Sequence, residues 1–141
     1  MFFTKENTLY LPIKQVYFDQ IIEGTKNEEY RDLLPSTASR YLVKEDKNLV
    51  CNPENTKAGK KYTINSYNGG RFPFNIRRFK YLHLAVGYAK VRDEAFVEIV
   101  DIKPFPKVVD ARHDYAEWTM TYKIGKIVKL ERKKKGLIEQ K

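Results

Sequence analysis

The chain has 141 residues, of which 42% are hydrophobic and 32% charged, and its formal net charge is +9. This length and hydrophobic content favour one packed core and exclude a globally disordered protein. The single cysteine, Cys51, excludes an internal disulfide and a metal site built on paired cysteines, which favours a reducing, cytoplasmic location.

A short strand is predicted first, over residues 8–14. Leu9, Leu11 and Ile13 recur at every second position and therefore share one face. Pro12 has no amide proton to give to a neighbouring strand, so this strand should lie at a sheet edge or end near Pro12.

An α-helix is predicted next, over residues 15–24. Phe18, Ile21 and Ile22 have the spacing of one helical face, whereas the start of the segment lacks a clear capping side chain. Gly24 stands where a helix commonly ends, because glycine tolerates the left-handed conformation of a C-cap.

Residues 25–32 are predicted to form a polar turn that enters a strand by Asn27. On such a strand Glu29 and Arg31 share a face at a spacing of about 7 Å, and Lys26 joins them only if it still lies in the turn. The arginine would present a planar donor fork to phosphate, carboxylate or a base edge. Glu29 and Arg31 can equally form an ordinary surface pair worth under about 1 kcal/mol, so the residues alone leave both interpretations open.

The middle of the chain carries weaker signals. Residues 36–43 suit a helix capped by Ser36, residues 48–61 suit a loop, and residues 68–70 (NGG) suit a turn. Basic and aromatic residues then interleave between positions 71 and 81, as in proteins that bind single-stranded nucleic acid. Most of these aromatic side chains should nevertheless fill the core.

The second half of the chain is predicted to be β-rich. Strands are expected at 80–86, at 95–102 with an end at Pro104, and at 118–122 and 126–130 with a break near Gly125. One early helix followed by many strands predicts an α+β fold, in which a small β-barrel with one or two flanking helices closes the sheet edges.

Positive charge is concentrated at the C-terminus. From residue 123 onward, eight basic residues stand against two acidic ones, which accounts for +6 of the net charge. We expect residues 1–131 to form the domain and residues 132–141 a basic tail that attracts polyanions or simply keeps the protein soluble. The residues assigned to contacts with nucleic-acid phosphates are Arg77, Arg78, Lys80 and Lys133.

No membrane partner, metal or cofactor is predicted. No stretch approaches the roughly 18 apolar residues of a membrane span, and no secretory signal is recognisable. His83 lies on the strand face opposite Leu82 and Leu84, which favours a wall or surface position over a catalytic one. His113 has acidic neighbours but no ligand spacing, so the sequence predicts no metal site.

The sequence resembles the ASCH family, which belongs to the PUA-like superfamily. The resemblance rests on LPIK at 11–14, on the helix that follows, and above all on GTKNEEYR at 24–31, which is similar to the family's Gly-x-Lys-x-x-Glu-x-Arg signature. Residues 81–88, 95–102 and 122–127 resemble later strands of the family.

This resemblance implies a small PUA-like β-barrel and a cleft lined by the signature residues. It implies that Gly24 shapes the turn and that Lys26, Glu29 and Arg31 line the cleft, with Tyr88 as a further ligand-binding residue. Because the family is associated with RNA binding and nucleotide processing, we expect RNA or a nucleotide-like ligand as the partner.

One branch of the family resembles amidohydrolases that act on acetylcytidine, and it offers an alternative function. In that branch a lysine, a threonine and a glutamate carry out the hydrolysis. Lys26 matches the lysine, but Glu29 stands at the threonine position and cannot supply a hydroxyl nucleophile. An enzyme would therefore use Lys26 and Glu29 as an acid–base pair. A third interpretation is a non-catalytic module that docks a protein through the edge near Pro12 or through the tail.

Overall fold

The computed structural model describes residues 2–43, 49–50 and 62–133. Its elements in chain order are β1 (Thr8–Ile13), α1 (Gln15–Glu23), β2 (Glu28–Asp32), β3 (Leu49–Val50), β4 (Tyr62–Thr63), β5 (Tyr81–Val86), β6 (Glu94–Asp110) and β7 (Tyr115–Glu131). The fold is therefore α+β, as predicted. Cys51 and positions 134–141 of the predicted tail lie outside the described residues. Within the described ranges, no helix has the length and apolar character needed to cross a bilayer.

Five strands form a mixed sheet in the order β1-β5-β6-β7-β2, while β3 and β4 form a separate parallel pair. β1 runs parallel to β5, and β5 runs antiparallel to β6. β1 lies at an edge of the sheet, which confirms the prediction from Pro12. Over the described residues the sheet is open between β1 and β2, so the closed barrel stays a prediction.

The chain divides into two compact units. Unit 1 comprises Met1–Glu29, Phe79–Asp101 and Lys123–Lys141, and unit 2 comprises Tyr30–Arg78 and Ile102–Tyr122. Each unit has its own buried apolar side chains. In unit 1 these include Leu11, Phe18, Leu82, Leu84 and Val97, and in unit 2 they include Leu33, Leu42, Ile64, Trp118 and Met120.

The predicted helix is confirmed as α1. Phe18 and Ile21 are buried, and Ile22 is half-buried. The residue before the helix, Lys14, makes no capping bond with its side chain, in agreement with the missing cap signal. Gly24 ends the helix in the left-handed conformation at a φ of 85°.

The second predicted helix is wrong, because residues 36–43 form only a 3₁₀ turn at Ala38–Arg40. A long-range contact draws the chain out of the helical path. The amide of Val43 donates to the carbonyl of Asn75, and Leu42 forms an antiparallel bridge with Ile76. These long-range contacts outweigh the weak helix propensity of residues 36–43.

The strand ends predicted at the prolines and near Gly125 are also wrong. β6 continues through Pro104 and Pro106 to Asp110, and β7 runs unbroken through Gly125. Proline fits extended backbone and removes only a hydrogen-bond donor, which a strand tolerates where one side has no partner. The register of β5 with β6 runs from Glu94 to Glu98, and both prolines lie beyond it.

Gly125 is required by close packing rather than by a turn. A Cβ built at this position would lie 2.8 Å from Cγ2 of Val100 in β6. We therefore expect Gly125→Ala to lower the free energy of unfolding by about 1 kcal/mol, which chemical denaturation would measure. Combining it with Val100→Ala should restore most of the loss. Equal losses in the single and double variants would show that this contact is not the cause.

Candidate functional site

The turn after α1 is fixed by hydrogen bonds to the last turn of the helix. The amide of Gly24 donates to the carbonyls of Gln20 and Ile21, and the amides of Thr25 and Lys26 donate to the carbonyl of Gln20 at 2.9 and 3.1 Å. β2 begins only at Glu28, so Lys26 lies in the turn. This placement meets the condition under which Lys26 joins Glu29.

Lys26 and Glu29 form an ion pair in unit 1. Nζ of Lys26 lies 3.5 Å from Oε1 of Glu29, and the side chains are 18% and 6% exposed. The same Nζ lies 5.4 Å from the centre of the Tyr17 ring, which favours a cation at this place. A carboxylate as buried as that of Glu29 needs a cation or a hydrogen-bond donor as its partner, and Lys26 in the turn is such a cation. Ammonium and carboxylate thus stand side by side, as a donor and an acceptor for a polar ligand.

Arg31 follows Glu29 on β2 but belongs to unit 2. Glu29 is buried, Glu28 and Arg31 are half-buried, and Tyr30 and Asp32 are exposed, so a shared face for Glu29 and Arg31 stays a prediction. Nη1 of Arg31 donates to the carbonyl of Tyr30 at 3.0 Å. The predicted convergence of Lys26, Glu29 and Arg31 on one ligand stays a prediction.

Tyr88 lies in the turn after β5, which begins at Gly87 with a φ of 72°. Its side chain is 87% exposed. The exposed ring is accessible for stacking, and its predicted role in ligand binding stays a prediction.

The four residues assigned to phosphate contacts fall into both units. Arg77 and Arg78 belong to unit 2, where Nη1 of Arg77 donates to the carbonyl of Ser39 and Nη1 of Arg78 to that of Ile102, both at 3.4 Å. Lys80 and Lys133 belong to unit 1, and both are exposed.

The first residues of the predicted tail bond to unit 1. The amide of Lys133 donates to Oδ1 of Asp93 at 2.6 Å, and Nη2 of Arg132 lies 3.4 Å from Oδ2 of the same carboxylate. Gln15 donates to Oδ2 at 2.8 Å. Burial acts to raise the pKa of Asp93, but the bonds from Lys133 and Gln15 and the charge of Arg132 outweigh it and lower that pKa.

His83 lies half-buried in the wall formed by β5, in keeping with the predicted structural position. Its Nε2 is 2.8 Å from Oε1 of Glu94, and its ring stacks on Phe96 at 4.2 Å. A small cavity of about 90 Å³ adjoins the three residues. Burial acts to raise the pKa of Glu94, but hydrogen bonds from His83 and Arg92 outweigh it and lower that pKa.

Sequence reasoning missed two buried tyrosines of unit 2, Tyr41 and Tyr122. Their side chains are 3% and 0% exposed, with ring centres 6.4 Å apart. The two residues belong to distant segments of the chain, so no local spacing could have revealed their contact.

Comparison with protein-family models, with curated proteins and with solved structures gives no match for this chain.

Proposed function

We propose that this protein is an ASCH-type domain that binds RNA or a nucleotide-like ligand through Lys26, Glu29 and Arg31. The observation that carries the proposal is the ion pair between Lys26 and Glu29, two of the positions at which the resemblance implies residues that line the cleft. A PUA-like closed barrel and a cytoplasmic location are parts of the same proposal. The net charge of +9 supports a polyanionic partner.

The three side chains offer complementary chemistry to a nucleotide. The Glu29 carboxylate accepts hydrogen bonds from the amino or imino groups of a base, and the Lys26 ammonium donates to a carbonyl or phosphate oxygen. The Arg31 guanidinium offers two parallel donors to a phosphate. In this proposal Arg77, Arg78, Lys80 and Lys133 add phosphate contacts along the strand.

Binding of a fluorescein-labelled single-stranded RNA tests this function. With about four phosphates neutralised, affinity should fall roughly 50-fold between 50 and 200 mM salt, because bound cations are released from the RNA. Fluorescence anisotropy at several salt concentrations measures the slope. No binding at 50 mM salt, either to RNA or to a mononucleotide, would refute the proposal.

Lys26→Ala should weaken RNA binding about tenfold at 50 mM salt, because it removes a donor from the ligand and leaves Glu29 without this cation. Lys90→Ala is the matched control, since it removes the same charge from an exposed turn of unit 1. Equal losses of affinity in the two variants would mean that Lys26 acts only through net charge.

The alternative is an amidohydrolase acting on an acylated nucleoside, and the 3.5 Å distance between Lys26 and Glu29 favours it. Water would attack the acyl carbonyl while Glu29 takes its proton. The C–N bond would break as Lys26 protonates the departing nitrogen, giving a carboxylic acid and the free amine. Chromatography of N-acetylated nucleosides incubated with the protein detects this reaction. Turnover that persists in Glu29→Gln would remove the assigned site, and co-purification of a protein without nucleic acid would favour a docking module.

A further inference from the structure

A cavity of about 230 Å³ lies in unit 2, where the chain leaving β2 bonds to β7. The amide of Leu33 donates to the carbonyl of Trp118 at 2.8 Å, and both residues line the cavity. Because an apolar cavity of about 150 Å³ holds benzene, a cavity of this volume suits a ligand of about nine heavy atoms. The residues that line it include none of those assigned to RNA binding.

Apolar and aromatic side chains form much of the cavity wall. Leu33 and Trp118 are buried, whereas Leu34 and Tyr115 are exposed. The indole of Trp118 is held in position, because its Nε1 donates to the carbonyl of Ser66 at 2.9 Å. Small-molecule sites typically combine such a wall with a few polar groups that orient the ligand.

The charged residues in the lining are Asp32, Glu117 and Lys107. Nζ of Lys107 lies 3.7 Å from Oδ1 of Asp32, so these two charges offset each other. Glu117 has no ion-pair partner within the described residues, and its Oε2 accepts a hydrogen bond from the Tyr115 hydroxyl at 2.6 Å. The three residues together are therefore negative, although the chain as a whole carries a net charge of +9.

Asn65 adds a neutral acceptor to the cavity lining. Its Nδ2 donates to the carbonyl of Ala116 at 3.0 Å, and the amide of Ala116 donates to the backbone carbonyl of Asn65 at 2.8 Å. These bonds fix Asn65 beside β7 and leave its Oδ1 without a hydrogen-bond partner in the described part of the chain. Carboxylate and amide oxygens both accept hydrogen bonds, so the lining favours a ligand that donates them.

We propose that this cavity binds a small organic cation, a primary ammonium group on an aromatic body of about nine heavy atoms, with Glu117 as its counterion. An ammonium group has three hydrogen-bond donors and no acceptor, which matches the oxygens of Glu117 and Asn65. Aromatic walls favour a cation further, and a ligand anion would be repelled by the carboxylates. The inference does not rest on the proposed function, and a protein that fails to bind RNA would leave it standing.

Trp118 is the single tryptophan of the chain, so its fluorescence reports directly on this cavity. Benzylamine, benzyl alcohol and benzoate share a ring and differ in charge, and each is titrated into the full chain at pH 7 and matched ionic strength. Benzylamine should change the fluorescence saturably and raise the melting temperature. The Kd of benzyl alcohol should be at least tenfold higher, and benzoate should not bind. Equal Kd values for the amine and the alcohol, or no saturable response to the amine, would overturn the proposal.

Glu117→Gln removes the counterion with little change of shape. It should raise the Kd of benzylamine at least tenfold while changing the melting temperature without ligand very little, because Glu117 is exposed. Glu6→Gln is the matched control, since it removes the same charge from an exposed turn of unit 1 and should change the Kd less than twofold. Equal Kd values in the two variants would overturn the role of Glu117.

Lys107→Gln should have an effect of the opposite sign. It removes the cation that offsets Asp32, so the Kd of benzylamine should fall about threefold. Damage to the cavity would instead raise the Kd, and a Kd that rises or stays the same contradicts the charge argument. If Glu117→Gln fails to fold, this variant and the comparison of benzylamine with benzyl alcohol still decide the proposal.

Nα-acetyl-lysinamide tests whether the ammonium group belongs to a free aromatic amine or to the lysine side chain of a protein. It carries an ammonium group on a flexible aliphatic chain. A Kd higher than that of benzylamine supports a free aromatic amine as the ligand. A lower Kd overturns that ligand class and assigns the cavity to a lysine side chain.

Discussion

Phe18→Ala should lower the free energy of unfolding by about 3–5 kcal/mol, the largest effect of any substitution considered for this protein. Phe18 is 0% exposed on the inner face of α1, and the guanidinium carbon of Arg132 lies 5.5 Å from the centre of its ring. Removing the ring leaves a cavity that the surrounding unit cannot fill by a small shift. It also removes the surface on which Arg132 packs.

Chemical denaturation measures this effect, and Val16→Ala is the control. Val16 lies on the same helix but is 54% exposed, so its truncation should change stability by less than about 0.5 kcal/mol. Similar losses in the two variants would mean that α1 does not pack through Phe18.

Asp93→Ala should cost about 2–4 kcal/mol at pH 7. Asp93 accepts bonds from Gln15 and from the amide of Lys133 and lies 3.4 Å from Arg132. Bonds to an ionised acceptor are worth more than neutral ones, although Gln15 and Lys133 are exposed and recover part of the loss by binding water.

The contribution of Asp93 to the free energy of unfolding should also depend on pH, and it should decrease as the pH falls. Because its pKa in the folded protein lies below the unfolded value near 3.9, ionised Asp93 stabilises the fold fully above about pH 4. That stability is lost as pH falls through the lower, folded pKa. The difference in unfolding free energy between the wild type and Asp93→Asn should therefore shrink on acidification, which denaturation at several pH values would show. Glu94, whose pKa is also lowered, titrates in both proteins and cancels from the difference.

The local parts of the fold were predictable because local chemistry determines them. The alternation of Leu9, Leu11 and Ile13 and the helical spacing of Phe18 and Ile21 correspond to buried faces, and Gly24 ends α1 as its type suggested. The failures at residues 36–43 and at Gly125 share one cause, which is a contact between distant parts of the chain. Gly125 is predicted to be a break, whereas the structure uses it to bring β7 close to Val100, a contact that no local pattern contains.

The candidate functional residues also divide into pairs that local sequence predicts and pairs that only the folded chain brings together. Lys26 lies in the turn and Glu29 follows three positions later in β2, so their pairing follows from the turn that Gly24 makes. Tyr41 and Tyr122 are 81 positions apart, and only the folded chain brings their rings within 6.4 Å. Long-range meetings of this kind depend on how the strands pair, which composition and periodicity do not specify.

The two units are built from segments that alternate along the chain, and this order bears on its synthesis at the ribosome. Unit 1 is assembled from three segments and unit 2 from two, and each takes part of β7. Neither unit is complete until β7 has left the exit tunnel, so stable structure in either unit should form only after β7 has been synthesised. A nascent chain that stalls before residue 115 would carry both halves unfinished, exposing apolar side chains to chaperones and proteases.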